Sequence, residues 1–131
     1  EYHLPRETLL PTLREVRQRL EQRHPGVFFP MEIRVVRGDD AWLSPFQGHD
    51  TSGSIAVHRY YEEDPLPLFR DVEPLYQPMG GRPHWGKMHS LTPQTLADRY
   101  PRFNDFVALQ SRLDPQGRLL NPYLRTLLGH G

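Results

Sequence analysis

Fourteen prolines among 131 residues dictate that this chain is built from short elements. Each proline fixes its own φ and removes a backbone donor, so it belongs at the first turn of an element or outside it. Residues 5 to 23 repeat Leu9, Leu13, Val16 and Leu20 at helical spacing, with charged residues between them. Pro11 places the regular part of that helix from about residue 11, and His24-Pro25-Gly26 stops it. Asp64-Pro65 reads as a cap followed by proline at the first helical position, and Phe69, Val72, Leu75 and Tyr76 continue the stripe. Pro74 shortens this helix and Gly80-Gly81 ends it. Thr92-Pro93 opens a further helix that Tyr100-Pro101 closes, and Phe103, Phe106, Val107, Leu109 and Leu113 mark the next. Asp114-Pro115-Gln116-Gly117 is a turn, and Asn121-Pro122 starts a last short helix before Gly129.

Two stretches alternate with the period of a strand instead. In 31–37, Met31, Ile33 and Val35 point one way and Glu32 and Arg34 the other. In 54–61, Ile55 and Val57 share one face, and Ala56, His58 and Tyr60 the other, although Arg59 and Tyr61 interrupt the apolar row. If the two strands pair, Glu32, Arg34, His58 and Tyr60 share a sheet face. The expected fold class is therefore α+β: an antiparallel sheet with helices packed on one face and the opposite face free to line a site. Residues 38–50 read as a long loop, either functional or covered by a partner.

At 15.4 kDa the chain fits one domain. Sixteen basic residues balance sixteen acidic ones, which removes the basic field of a nucleic-acid binder. No apolar run reaches the length of a membrane span. The N-terminus lacks the basic and apolar regions of a signal peptide. Cysteine is absent, so disulfides, thiolate metal sites and thiol nucleophiles are excluded, and a cytoplasmic location is the expectation. The first residue is not Met, as in a piece cut from a longer protein.

Several side chains stand out chemically. Gly81-Arg82-Pro83-His84-Trp85-Gly86-Lys87 sets an imidazole, an indole and a cation in succession, a mixture that suits the wall of a site. Glu32 and Arg34 are either a surface ion pair or a guanidinium held in position for an oxyanion. With His58 and Tyr60 they form either an ordinary wet face or a pocket for a polyhydroxylated ligand. Asn121 either caps its helix or donates to a ligand. The seven histidines match no metal-ligand spacing, so no metal is expected. Neither a nucleophile elbow nor a glycine-rich dinucleotide turn is present.

Phe29-Pro30-Met31-Glu32-Ile33-Arg34, Asp40-Ala41-Trp42-Leu43-Ser44, Ile55-Ala56-Val57-His58, Gly81 to Lys87, Tyr100-Pro101-Arg102-Phe103 and Leu113-Asp114-Pro115 through Asn121-Pro122-Tyr123-Leu124 occur in that order. Together they resemble the C-terminal domain of the flavin-dependent aldonolactone oxidases, the arabinono- and gulono-1,4-lactone oxidases of the vanillyl-alcohol-oxidase-like superfamily, over roughly residues 28 to 129. Alditol oxidases share much of the pattern. The resemblance implies that residues 1–131 are the substrate or cap domain of an FAD-dependent enzyme, with the FAD-binding domain lying outside this chain. It further implies oxidation of a CH–OH group of a sugar lactone, or of a polyol, by hydride transfer to flavin, and inactivity of this segment alone. The alternative of another class is a non-catalytic carbohydrate-binding or interaction module. Carried over by motif, Lys87, Arg34, His58 and Glu32 are the implied catalytic residues. Glu32, Arg34, Tyr60, His84 and Trp85 are the implied substrate contacts, and Lys87 and Asn121 the implied flavin contacts.

Overall fold

The computed structural model describes residues 1–130. Its architecture is α+β. Strands β1 (Tyr2–Pro5), β2 (Glu32–Arg37), β3 (Thr51–Ala56) and β4 (Arg82–Pro83) form one antiparallel sheet in the order β2-β3-β1-β4.

Helix α1 (Arg6–Arg23) lies across one face of this sheet. Tyr2, Leu4, Gly53 and Ile55 occupy that face by register, and they form the floor on which Leu9, Val16 and Leu20 are buried. Thr12 is fully buried in the same stripe because its hydroxyl donates to the Thr8 carbonyl, 2.8 Å away, so no polar group is stranded. The helix begins five residues before Pro11 rather than at it. Pro11 is exposed, so its ring meets solvent on the outer side.

The second strand differs from its sequence expectation. It runs from Thr51 to Ala56, so 57–61 lie beyond it, and the irregularity at Arg59 and Tyr61 reflects a chain that has already left the sheet. Ile33 and Val35 face the α1 side as expected, but α1 covers the centre of the sheet and β2 is its edge. They remain 41% and 60% exposed.

After β3 the chain forms α2 (Leu66–Val72), entered through Asp64, whose carboxylate accepts from the Leu66 N–H at 3.0 Å. Pro74 ends the α-helix and leaves two short 3₁₀ turns, Glu73–Leu75 and Gln77–Met79. Gly80, at φ 75°, then reverses the chain into β4. The C-terminal part contains α3 (Pro93–Arg99), α4 (Phe103–Leu113) and α5 (Pro122–Leu127). Leu91, Leu96, Tyr100, Phe103, Leu127 and Leu128 bury a second hydrophobic cluster there, distinct from the one under α1. Among the described residues no helix is long and apolar enough to cross a membrane.

Candidate active site

The sheet face turned away from α1 is polar. One row across it reads Arg34, Ser54, His3, Arg82, on β2, β3, β1 and β4 in turn. His3 and Ser54 are almost fully buried, and neither nitrogen of the His3 ring finds a hydrogen-bond partner among the described residues. The 38–50 loop folds over this face and sets Phe46 edge-on to His3, with ring centres 4.8 Å apart. Burial disfavours the imidazolium and pulls the His3 pKa down to about 4.

At the end of this face stands Glu1, immediately before β1. Its side chain is 4% exposed, yet two cations reach it. The Lys87 ammonium donates to Oε2 at 2.7 Å and the Arg34 guanidinium to Oε1 at 3.2 Å. Burial alone would raise the Glu1 pKa. The Lys87 hydrogen bond and charge, with a smaller contribution from His3, outweigh it and hold the carboxyl at about 2. Arg34 also donates from its other terminal nitrogen to Glu32, and His58 Nε2 lies 3.8 Å from the second Glu32 oxygen. Lys87, Glu1, Arg34 and Glu32 thus form a hydrogen-bonded chain of alternating charge, and His58 approaches its Glu32 end without a hydrogen bond.

Local structure explains each position. Pairing of β4 with β1 carries the chain past Glu1, where the His84 N–H donates to the Glu1 carbonyl. A turn closed by the Lys87 N–H on the His84 carbonyl then points Lys87 back at the carboxylate. Glu32 and Arg34 share a face because they are two residues apart on β2. His58 joins them from the segment that follows β3. A recess of about 400 Å³ opens beside the chain of charges, walled by Glu1, Val57, His58, Phe69, Lys87 and Met88.

This arrangement leaves donors to spare. Lys87 uses one of its three N–H groups on Glu1, and Arg34 uses two of five on Glu1 and Glu32. Both side chains are more than 40% exposed, so the remaining donors can meet an incoming oxygen while the carboxylates fix the cations in place.

The other residues singled out in the sequence are placed differently. Tyr60 belongs to an exposed aromatic run with Phe28 and Tyr61. His84 spends Nδ1 on the Gly86 N–H and sets its ring 5.8 Å from that of His3. Trp85 donates its indole N–H to the Leu43 carbonyl at 2.8 Å and packs on Tyr100 in the second cluster. Asn121 caps α5, its side-chain oxygen accepting from the Leu124 N–H at 2.8 Å. Glu1 was not apparent as a site residue. The signal available was the alternation of polar Glu1 and His3 with apolar Tyr2 and Leu4, a strand pattern cut short by Pro5.

Residues 1–127 match the family model described as D-arabinono-1,4-lactone oxidase, a span that begins well before the motifs quoted above. An L-gulono-1,4-lactone dehydrogenase of Mycobacterium tuberculosis is 42% identical over 129 residues, covering 98% of this chain and 30% of that enzyme. An alditol oxidase of a Streptomyces species is 39% identical over 131 residues, 98% of this chain and 31% of its own length. The L-gulonolactone oxidase of Mus musculus is 38% identical over 129 residues, 95% of this chain and 29% of its own. The chain therefore spans about 30% of the length of these relatives. With nearly its whole length matched to that model, the chain belongs to the D-arabinono-1,4-lactone oxidase family of oxidoreductases.

Proposed function

We propose that this chain is the substrate-binding C-terminal domain of a longer FAD-dependent oxidoreductase that oxidises a CH–OH group of an aldono-1,4-lactone. The observation that carries this reading is the clamp of Arg34 and Lys87 on the buried Glu1 carboxylate, which holds two cations side by side with donors unspent. Oxidation of a carbinol builds negative charge on its oxygen as hydride departs, and preorganised cationic donors stabilise that charge where it develops.

In this reading Arg34 and Lys87 receive the carbinol oxygen. Glu1 keeps both cations oriented, and Glu32 fixes the second edge of the guanidinium. His58, 3.8 Å from Glu32, takes the hydroxyl proton, and the Glu32 carboxylate stabilises the imidazolium that results. Tyr60 and His84 stand as rim contacts for sugar hydroxyls.

Lys87 and Arg34 suit the anionic character of a reduced flavin ring, whereas the chain carries no glycine-rich dinucleotide turn. The ring would meet Lys87, and the rest of the cofactor would be held by the part of the polypeptide outside this chain. When bound, it supplies the hydride acceptor. This segment alone would be inactive.

An alditol would use the same donors, and the near-equal identities to lactone and alditol enzymes favour neither substrate. Flavin bleaching in the full-length protein, followed anaerobically with lactones and with alditols, separates them. Lys87→Met is expected to slow the lactone-driven bleaching more than about tenfold, roughly 1.4 kcal/mol of barrier. Bleaching by neither substrate class overturns the proposal, and an unchanged rate in the variant removes Lys87 from the mechanism.

A further inference from the structure

A smaller cavity of about 200 Å³ adjoins the charged recess, bounded by the start of β1, helix α2 and residues 88–90. Glu1, Val57, Phe69 and Met88 line both spaces. Met88 is the most open of these four, at 50% exposure, and it follows Lys87 directly in the chain. The three methionines of the sequence differ in their surroundings. Met31 and Met79 are half-buried and packed against the cluster under α1. Met88 is exposed and borders the space assigned above to the substrate.

A methionine thioether is open to oxidation because its sulfur lone pair is a nucleophile. The oxidant is hydrogen peroxide, which an oxidase makes from dioxygen as it turns over. A recess that admits a sugar lactone admits so small a molecule. The sulfur lone pair attacks one peroxide oxygen, the O–O bond breaks as the S–O bond forms, and the other oxygen leaves as water. Sulfur gives up two electrons and peroxide gains them. The product sets a polar S–O group where a flexible apolar side chain stood. Its oxygen accepts hydrogen bonds, and Lys87, next to it on the same wall, holds unspent donors.

We propose that Met88 is a modification site, and that its conversion to the sulfoxide slows oxidation in the recess by engaging the Lys87 donors that receive the carbinol oxygen. The consequence rests on the functional reading above; the modification itself rests on where the three methionines lie.

The test treats full-length protein with hydrogen peroxide in the absence of substrate and removes the excess with catalase. Mass spectrometry reads the order in which methionine peptides gain an oxygen, and anaerobic flavin bleaching by a lactone reads the rate. The peptide holding Met88 is expected to gain oxygen ahead of those holding Met31 and Met79. The bleaching rate should fall in step, by about threefold to tenfold, the scale of one competing hydrogen bond. Methionine sulfoxide reductases should restore it. Met88→Leu, close in volume at a half-exposed position, should keep its own untreated rate after the same exposure. Earlier oxidation of Met31 or Met79 overturns the proposal. So does full oxidation of Met88 without a loss of rate, or a loss as large in Met88→Leu as in the parent. If untreated protein is bleached by neither lactones nor alditols, the functional reading fails, and the order of the peptides still decides the modification.

Discussion

Glu1 and His3 are two residues apart on a sheet face that shields both from water, and the acid stability of the protein should register it. Burial holds His3 neutral, with its pKa near 4 rather than 6.5. Between those values the unfolded chain binds a proton that the folded chain refuses, so stability falls as pH drops from about 6.5 to about 4 and the penalty is complete below. Glu1 has its folded pKa near 2 against an ordinary 4.5, so its stabilisation is whole above about pH 4.5 and is lost as pH falls toward 2. Urea midpoints of full-length protein should therefore decline through both windows. His3→Leu should flatten most of the upper limb and leave the lower, because it replaces an unpartnered ring with an apolar side chain; what is left of the upper limb belongs to His49 and His89, whose pKa values burial also lowers. A variant that still loses stability from pH 6.5 to 4 with the parent's slope assigns that limb to another group. Strand alternation made Glu32 and Arg34 legible, and an odd clustering of residue types drew attention to Lys87. Glu1 was not legible, because what makes it the hub is pairing between β1 and β4, two strands of four and two residues, too short to show a period.

Strand β3 owes its position under α1 to a missing side chain. A Cβ on Gly53 would fall 2.3 Å from a Leu9 methyl carbon, and Leu9 is itself 2% exposed with little room to move. Gly53→Ala must lift the helix from the sheet or drive Leu9 off its rotamer, at a cost of about 1–3 kcal/mol. Chemical denaturation measures that, and a neutral result would mean that α1 slides freely on the sheet. The same strand shows where sequence reading of elements stops. Thr51-Ser52-Gly53-Ser54 carries no apolar alternation, and the Ser52 and Ser54 side chains are buried in spite of being polar. The strand was therefore expected to begin three residues late and to continue into 57–61. Helices fared better: Asp64-Pro65, Thr92-Pro93 and Asn121-Pro122 mark real helix starts, since cap and proline chemistry is local and needs no tertiary context.

Two hydrophobic clusters make up the molecule, one under α1 and one among α3, α4 and α5. A polar seam joins them, and no pattern in the sequence announces it, since its acceptors are backbone carbonyls distant along the chain. Arg82 is its centre. On β4, 8% exposed, it donates to the Arg99 carbonyl at 2.9 Å and the Gln47 carbonyl at 2.6 Å, with its guanidinium over the Tyr100 ring. Tyr100 returns a hydrogen bond to the Pro83 carbonyl, and Trp85 pins the Leu43 carbonyl from the same strand exit. Arg82 thus ties the sheet, the 38–50 loop and the end of α3 together, and it does so one turn away from Lys87. Arg82→Met keeps the apolar stem but frees both carbonyls, and charge-assisted bonds of this kind put the cost at about 2–4 kcal/mol. The loss should be local before it is global. In the full-length protein, amide exchange is expected to speed up in residues 44–47 and in α3 while α1 keeps most of its protection. If instead every amide loses protection equally, the clusters unfold as one unit and Arg82 is no hinge between them. If α3 is unaffected, the seam is held by Trp85 and Tyr100, and the position of Lys87 owes nothing to Arg82.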